Sequence, residues 1–258
     1  MANFTGPSGI AEVVIEKVGV SKCKLGLIPV ILLGILAGAY IAFGAQLATK
    51  MFVLFQDPGM AKLVGSSVFS VGLMLVVIGG AELFTGNNLM FMSVLSGKAK
   101  LSDMLTKWIV VYIANFIGSM LVAWLMFNSG LVGGAIADKA VAIASAKIHL
   151  TFGHAFIRAI LCNWLVCLAV WLAIASHDVV GKIFGIFFPI MAFVASGFEH
   201  SIANMYFIPM GIMLDPTKVT WGGFFHNIIP VTLGNIVGGA LFVGLTYWLI
   251  YAKACKRA

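Results

Sequence analysis

The sequence predicts an all-α polytopic membrane protein with six transmembrane helices, arranged as two three-helix copies of opposite orientation in which helices two and five are broken. Composition, the pattern of apolar runs and a repeated pair of interruptions carry this reading. Hydrophobic residues make up 61% of the 258-residue chain and charged residues 10%, with a mean hydropathy of +1.07. A soluble domain carries about 45–50% and about 25%. Spans of ~20 residues cross a bilayer, so six of them use roughly half of this chain. A soluble enzyme is excluded. The formal charge of +7 does not point to nucleic acid either, because most lysines lie outside the apolar runs, where they meet lipid headgroups and set topology.

Taken in order, Ile10, Val13, Val14 and Val18 recur at helical spacing among Glu12, Glu16 and Lys17, so residues 8–22 read as an amphipathic helix on the membrane surface. The uninterrupted apolar core of a signal peptide is missing there, and no cleaved leader is expected. Apolar runs follow at about 26–48, 64–96, 108–127, 154–176, 183–213 and 227–251. The expected division is an N-terminal helix (1–24), a six-span body (25–251, first copy about 25–127, second about 154–251) and a tail (252–258). Six spans put both termini on one side. That side collects Lys17, Lys22, Lys24, Lys98, Lys100, Lys107, Lys182, Lys253, Lys256 and Arg257, against Lys50, Lys62, Lys139, Lys147, Arg158 and Lys218 on the other. The excess of basic residues makes it the cytoplasmic side. Cys23, Cys162, Cys167 and Cys255 lack the spacing of a disulfide framework and are expected as free thiols.

The second and fifth runs are each about 30 residues long, too long for one simple span, and both are interrupted by glycine and polar residues. Gly80-Ala81-Glu82-Leu83-Phe84-Thr85-Gly86-Asn87 and Gly197-Phe198-Glu199-His200-Ser201-Ile202-Ala203-Asn204 share Gly-x-Glu, then four residues, then Asn, with the acids 117 positions apart. Asn115-Phe116-Ile117-Gly118-Ser119 and Asn235-Ile236-Val237-Gly238-Gly239 echo one another at an offset of 120. A copy with an odd number of spans must re-enter the membrane inverted, and such folds place a transport site where interrupted helices expose backbone groups to a protein-lined cavity. Conduction is therefore expected rather than catalysis.

Only Glu82 and Glu199 among the nine acids fall inside apolar runs. A carboxylate at the bilayer centre costs at least ~2.5–3.5 kcal/mol, so both need partners. The expectation is that each accepts backbone N–H groups freed at its break, with Gly80 and Gly197 shaping the turn. His200 sits within the second interruption and can exchange a proton near neutral pH, or simply satisfy local backbone. No metal is expected, since His200 has no partner at ligand spacing. His149, His154, His177 and His226 fall in loops or at span ends. Thr85, Asn87, Asn163 and Asn235 are short polar side chains that either bond a solute or join helices. Gly34 and Gly38 make a Gly-x-x-x-Gly close-packing pair, and Phe69, Leu73, Phe84 and Phe193 are candidates for apolar gates.

These motifs, with Cys162-Asn163-Trp164-Leu165-Val166-Cys167 and Ala195 to Met205 added, resemble the formate/nitrite transporter family from about Leu25 to Tyr251. The resemblance implies an aquaporin-like fold, a homopentamer with one pore per protomer and a lipid-filled central axis, in a bacterial or archaeal cytoplasmic (inner) membrane. By motif, His200 matches the family's central pore histidine, with Thr85 facing it. Asn163 and Asn235 match polar residues around it, Glu199 the acid beside it, and Lys147 the lysine that draws anions to the vestibule. Phe69 and Leu73 match a cytoplasmic constriction, and Leu83, Phe84, Val166 and Phe193 match apolar residues at or beside the narrowings. No cofactor is implied.

Two mechanisms stay open under that resemblance. Either His200 supplies a proton, directly or through Thr85 and water, so that a neutral acid crosses the apolar gate, or it stands as a fixed cation or hydrogen-bond donor to an anion. The implied solutes are formate, nitrite and hydrosulfide, with protons. The connection between Met213 and Asn227 is shorter than in the formate channels the motifs resemble, which tilts the expectation toward the hydrosulfide branch. A neutral-solute channel of the water or glycerol type is the rival, and its paired Asn-Pro-Ala motifs are absent.

Overall fold

The computed structural model describes residues 4–253, so Cys255, Lys256, Arg257 and most of the expected tail lie outside the described residues. The chain is all-helical: α1 (7–24), α2 (Leu27–Leu54), α3 (Pro58–Ile78), α4 (84–95), α5 (Leu101–Asn128), α6 (Ala135–Ile148), α7 (Phe152–Ala175), α8 (Val179–Ala195), α9 (Ser201–Leu214) and α10 (Trp221–Ala252). Five of these, α2, α3, α5, α7 and α10, are each long and apolar enough to cross a membrane, while α8 and α9 are shorter apolar helices. The second apolar run divides into α3 and α4, and the fifth into α8 and α9. Helix starts are fixed locally. Asp57, Thr151, Asp178 and Thr220 each accept a backbone N–H of the first turn of α3, α7, α8 and α10, which satisfies a donor that the helix itself leaves free.

Two features depart from the sequence reading. Residues 135–148, where no helix is expected, form α6, so Lys147 is held on a helix rather than on a loop. The N-terminal helix does not only lie on a surface. Val14 is fully buried, and Ser93 of α4 donates to the Ile15 carbonyl at 2.8 Å where α1 widens to π geometry over Val13–Gly19. The segment before α1 is fastened to the α7–α8 connection by Thr5, whose N–H reaches the Ala175 carbonyl and whose hydroxyl meets His177 Nε2, both at 2.8 Å.

Glycine sets how closely the long helices approach. A Cβ at Gly38 would overlap the Asn115 carbonyl and one at Gly118 the Ile35 carbonyl, so α2 and α5 touch backbone to backbone. The α7–α10 crossing is built alike, with Gly234 against the Phe156 carbonyl and Gly238 against that of Ile160. Small residues allow this in membranes, where dispersion and polar contacts rather than water exclusion join helices. Gly118→Val is therefore expected to cost about 3 kcal/mol or more, because the obstacle is backbone that cannot rotate away. Gly153→Ala, with nothing within 4 Å of the added carbon, is expected to be neutral. Thermal unfolding in detergent checks the pair, and equal stability of the two variants would sink the close-contact argument.

The connection from α9 to α10 is a tight turn over 215–220. Asp215 accepts from the Thr217 hydroxyl at 2.5 Å and pairs with Lys218 at 2.9 Å. Those two partners pull its carboxyl down to about 2. A depressed carboxylate stabilises above its unfolded pKa and loses that contribution only as pH falls through the folded value, so this turn keeps its bonds at any physiological pH.

Candidate pore site

The two gaps between helices, 79–83 and 196–200, are wired by matching bonds. Each opens with a glycine in the left-handed region, Gly80 at φ 86° and Gly197 at φ 71°, a conformation that a side chain would strain. Glu82 N–H then reaches across to the Leu33 carbonyl of α2 at 3.2 Å, and Glu199 N–H to the Arg158 carbonyl of α7 at 3.3 Å. Asn115 of α5 accepts the Phe84 N–H at 3.0 Å and donates to the carbonyls of Gly34 (2.7 Å) and Glu82 (2.9 Å). Asn235 of α10 accepts the Ser201 N–H at 2.9 Å and donates to Ala159 (2.8 Å) and Glu199 (3.0 Å). An amide carries both donors and an acceptor, so one buried side chain satisfies an N–H and two carbonyls at once.

This corrects the expectation for Glu82 and Glu199. Their carboxylates do not accept the backbone N–H groups freed at the gaps. Glu82 takes the Lys22 ammonium at 2.6 Å and the Asn87 amide at 2.8 Å, and Glu199 takes Lys147 at 2.9 Å and Asn204 at 2.7 Å. The carboxylates are directed to lysines at the two cavity mouths, and neutral amides serve the backbone instead. Asn227 adds a longer bond to Glu199 at 3.4 Å and donates to the Lys147 carbonyl at 2.9 Å. Lys22 escaped the sequence reading. The offset of 125 between Lys22 and Lys147, close to the 117 and 120 of the other echoes, was the signal available.

His200 stands where the copies differ, since its counterpart is Leu83. It caps α9: Nδ1 accepts the Ala203 N–H at 3.1 Å. A ring nitrogen that accepts carries no proton, so the ring hydrogen lies on Nε2, 3.0 Å from Thr85 Oγ1. Phe193 stacks on the imidazole at 5.8 Å between centroids and meets Phe69 edge-on at 5.6 Å.

Three spaces line up on this centre. A cavity of about 420 Å³ is lined by Lys22, Glu82, Leu73 and Leu83, and one of about 140 Å³ by Lys147, Glu199, Phe69, Phe193 and His200. Between them a void of about 10 Å³ is closed by Phe69, Leu73, Leu83, Val166, Phe193 and His200, room for about one water. Phe69 therefore does not share a mouth with Leu73. It belongs with Phe193 on the Lys147 side, while Leu73 and Leu83 border the Lys22 side. Phe84 borders none of the three spaces and packs edge-on against Tyr112 (4.9 Å) and Trp108 (6.0 Å). Asn163 is also set back, donating to the carbonyls of Thr85 (3.2 Å) and Asn235 (2.7 Å) and to Asn88 Oδ1 (2.8 Å). It holds the Thr85 segment against α10. Cys23, Cys162 and Cys167 are free thiols, and no group of three metal-ligating side chains occurs among the described residues.

Two cavities, each carrying a lysine–glutamate pair, that meet at an apolar waist inside a bundle of apolar helices define a multi-pass membrane transport protein. A family model described as formate/nitrite transporter matches residues 10–249. The chain is 47% identical to the probable formate transporter of Methanothermobacter thermautotrophicus, covering 98% of this chain and 99% of that one. It is 46% identical to the uncharacterized transporter YrhG of Bacillus subtilis (strain 168), covering 97% and 95%. A solved structure titled as a pentameric formate channel with formate bound superposes with a TM-score of 0.79 at 37% identity, covering 88% of this chain and 98% of that one. The chain belongs to the formate/nitrite transporter family, is an anion channel of that family and is not an enzyme.

Proposed function

We propose that the chain is a six-span, aquaporin-like inverted repeat, broken in helices two and five, that conducts the small monovalent anion of a weak acid through one pore per protomer of a homopentamer. The observation that carries this is His200, a single polar ring held by Thr85 and Ala203 at a waist otherwise made of Ile41, Phe69, Leu73, Leu83, Val166, Ile190 and Phe193. Lys22 and Lys147 line the two cavities, each paired with a glutamate, so each mouth presents an ammonium donor to an entering anion. A bare anion loses its hydration at the waist, and desolvation favours the neutral form of the acid. The solute thus takes up a proton that the bulk solution supplies through cavity water, crosses neutral and releases the proton to water on the far side. The Nδ1 bond to Ala203 favours His200 as a fixed donor from Nε2 over a proton source, because a second ring proton would displace the helix cap. Thr85 is the partner from which the passing solute takes over that hydrogen bond.

Formate is the favoured solute, by the names of the relative and the structure just cited. Nitrite has the same charge and weak-acid chemistry. Hydrosulfide is a second reading, favoured by the short 215–220 connection. We place both termini, α1 and the Lys22 mouth in the cytoplasm of a bacterial or archaeal cell, from the lysine bias, with 1–24 as the cytoplasmic helix, 25–251 as the channel body and 252–258 as its tail. Exposed Ile109, Ile113, Ile117 and Trp124 along α5 supply an apolar surface for lipid or a neighbouring protomer. Flux into proteoliposomes tests the reading. Formate, nitrite and hydrosulfide are expected to pass faster as pH falls from 7.5 to 5.5, and chloride and glycerol to be excluded. Passage of chloride at the rate of formate would overturn it, and the order among the three weak acids decides the solute.

A further inference from the structure

We infer that Lys182 recruits the anion at the Lys22 mouth alone and makes the two ends of the pore unequal in how tightly they hold it. The inference rests on the anion-channel reading above. The cavity of about 420 Å³ is lined by Lys22, Glu82 and Lys182. Lys22 is matched by Glu82 at 2.6 Å, whereas Lys182, half-buried in the first turn of α8, has no acid partner among the described residues. Asp178, the acid nearest to it in sequence, is engaged with the Gly181 N–H at 2.7 Å and the Ser176 hydroxyl at 3.4 Å.

The opposite cavity is lined by Lys147 and Glu199, paired at 2.9 Å, with no second lysine or arginine. The lining charges leave a formal +1 at one mouth and zero at the other. Duplication does not supply the missing cation. The position 117 residues before Lys182 is Gly65, and the Phe52 ring lies against it so closely that a Cβ would overlap. One copy thus offers a lysine to its cavity where the other offers an aromatic ring, and Phe52 itself lines the Lys147 cavity.

An unmatched charge on a low-dielectric wall raises the local concentration of the opposite ion. A passive pore must have the same ratio of maximal rate to half-saturation in both directions, so tighter holding at one mouth appears as earlier saturation and a proportionally lower maximum from that face. The test is formate flux at zero voltage in oriented proteoliposomes, loaded from each face over a range of concentrations, with nitrite and hydrosulfide as further probes. Half-saturation from the Lys22 face is expected to be roughly threefold to tenfold lower than from the Lys147 face at low salt. It should converge with the other face at ~0.3 M salt, where the screening length is only several ångströms. Lys182→Gln should bring the two faces within about twofold at low salt, and Lys182→Arg should preserve the difference. Equal saturation from both faces of the wild type, or a difference that survives Lys182→Gln, overturns the role of Lys182 while leaving the channel standing. Failure of all three anions to cross the wild type overturns the channel reading itself. The salt series on the wild type keeps the test decisive if the glutamine variant does not fold.

Discussion

With asparagine in place of His200, formate flux at pH 7 falls roughly 5- to 150-fold while the protein inserts and melts as before. Asparagine is a good helix cap, and its Oδ1 can still accept the Ala203 N–H that His200 Nδ1 holds at 3.1 Å. Its side chain is too short to reach Thr85, so the 3.0 Å contact is lost and the waist keeps no donor. Withdrawing one hydrogen-bond partner in a buried place costs about 1–3 kcal/mol, and each 1.36 kcal/mol is about tenfold in rate. The choice of asparagine separates the pore role from the structural one, since leucine would remove the cap as well. Flux is read in proteoliposomes beside a melting curve in detergent. A variant that conducts within twofold of wild type would mean that the apolar residues alone set the barrier.

Leucine at Asn115 or at Asn235 is expected to cost about 3–5 kcal/mol of stability, a large share of the about 5–15 kcal/mol that a typical domain has. Each amide is fully buried and holds one N–H and two carbonyls at its gap. Interhelical hydrogen bonds in membrane proteins average only about 0.6 kcal/mol, because partners left behind find substitutes. Here an N–H and a carbonyl at each gap, Phe84 with Glu82 and Ser201 with Glu199, lie outside the regular helix ladder and would be left buried without the amide, so the upper range applies. Thermal unfolding and the monodisperse fraction after purification report the effect. Asn115→Leu melting with Gly153→Ala would show that the gaps hold without their amides.

The apolar runs and the two interruptions were legible because burial in lipid leaves a long, unambiguous pattern and the Gly-x-Glu echo marks each gap. The six-span count and the inversion are inferred from that pattern. Helix α6 was not legible, because its alanine-rich 14 residues lie between spans and carry charges at both ends. The Lys22–Glu82 pair joins residues 60 apart, and nothing local to either announces the other. Phe69 and Leu73 share one face of α3 and were read as one constriction. One helical turn is ~5.4 Å of rise, enough to set them on opposite sides of a void of about 10 Å³. The carboxylates were assigned to the backbone because lone acids in lipid demand donors. What the sequence does not display is that a lysine and an amide meet that demand better than a bare helix end.

The bonds at the two gaps also carry an order in time. Everything that closes the first gap, from Lys22 and Leu33 to Asn87 and Asn115, has been synthesised before α6 exists, and everything that closes the second lies between Lys147 and Asn235. The contacts that join the halves, among them Thr85 with His200, Ser70 with the Phe187 carbonyl, Tyr112 with Thr232 and the packing of α5 on α9 and of α3 on α8, form only once the second half is present. Chains are assembled from the amino end as units become complete. The first half can therefore settle in the bilayer as a finished subassembly and wait for its sibling, and the conducting centre comes into being only at the seam where the two meet.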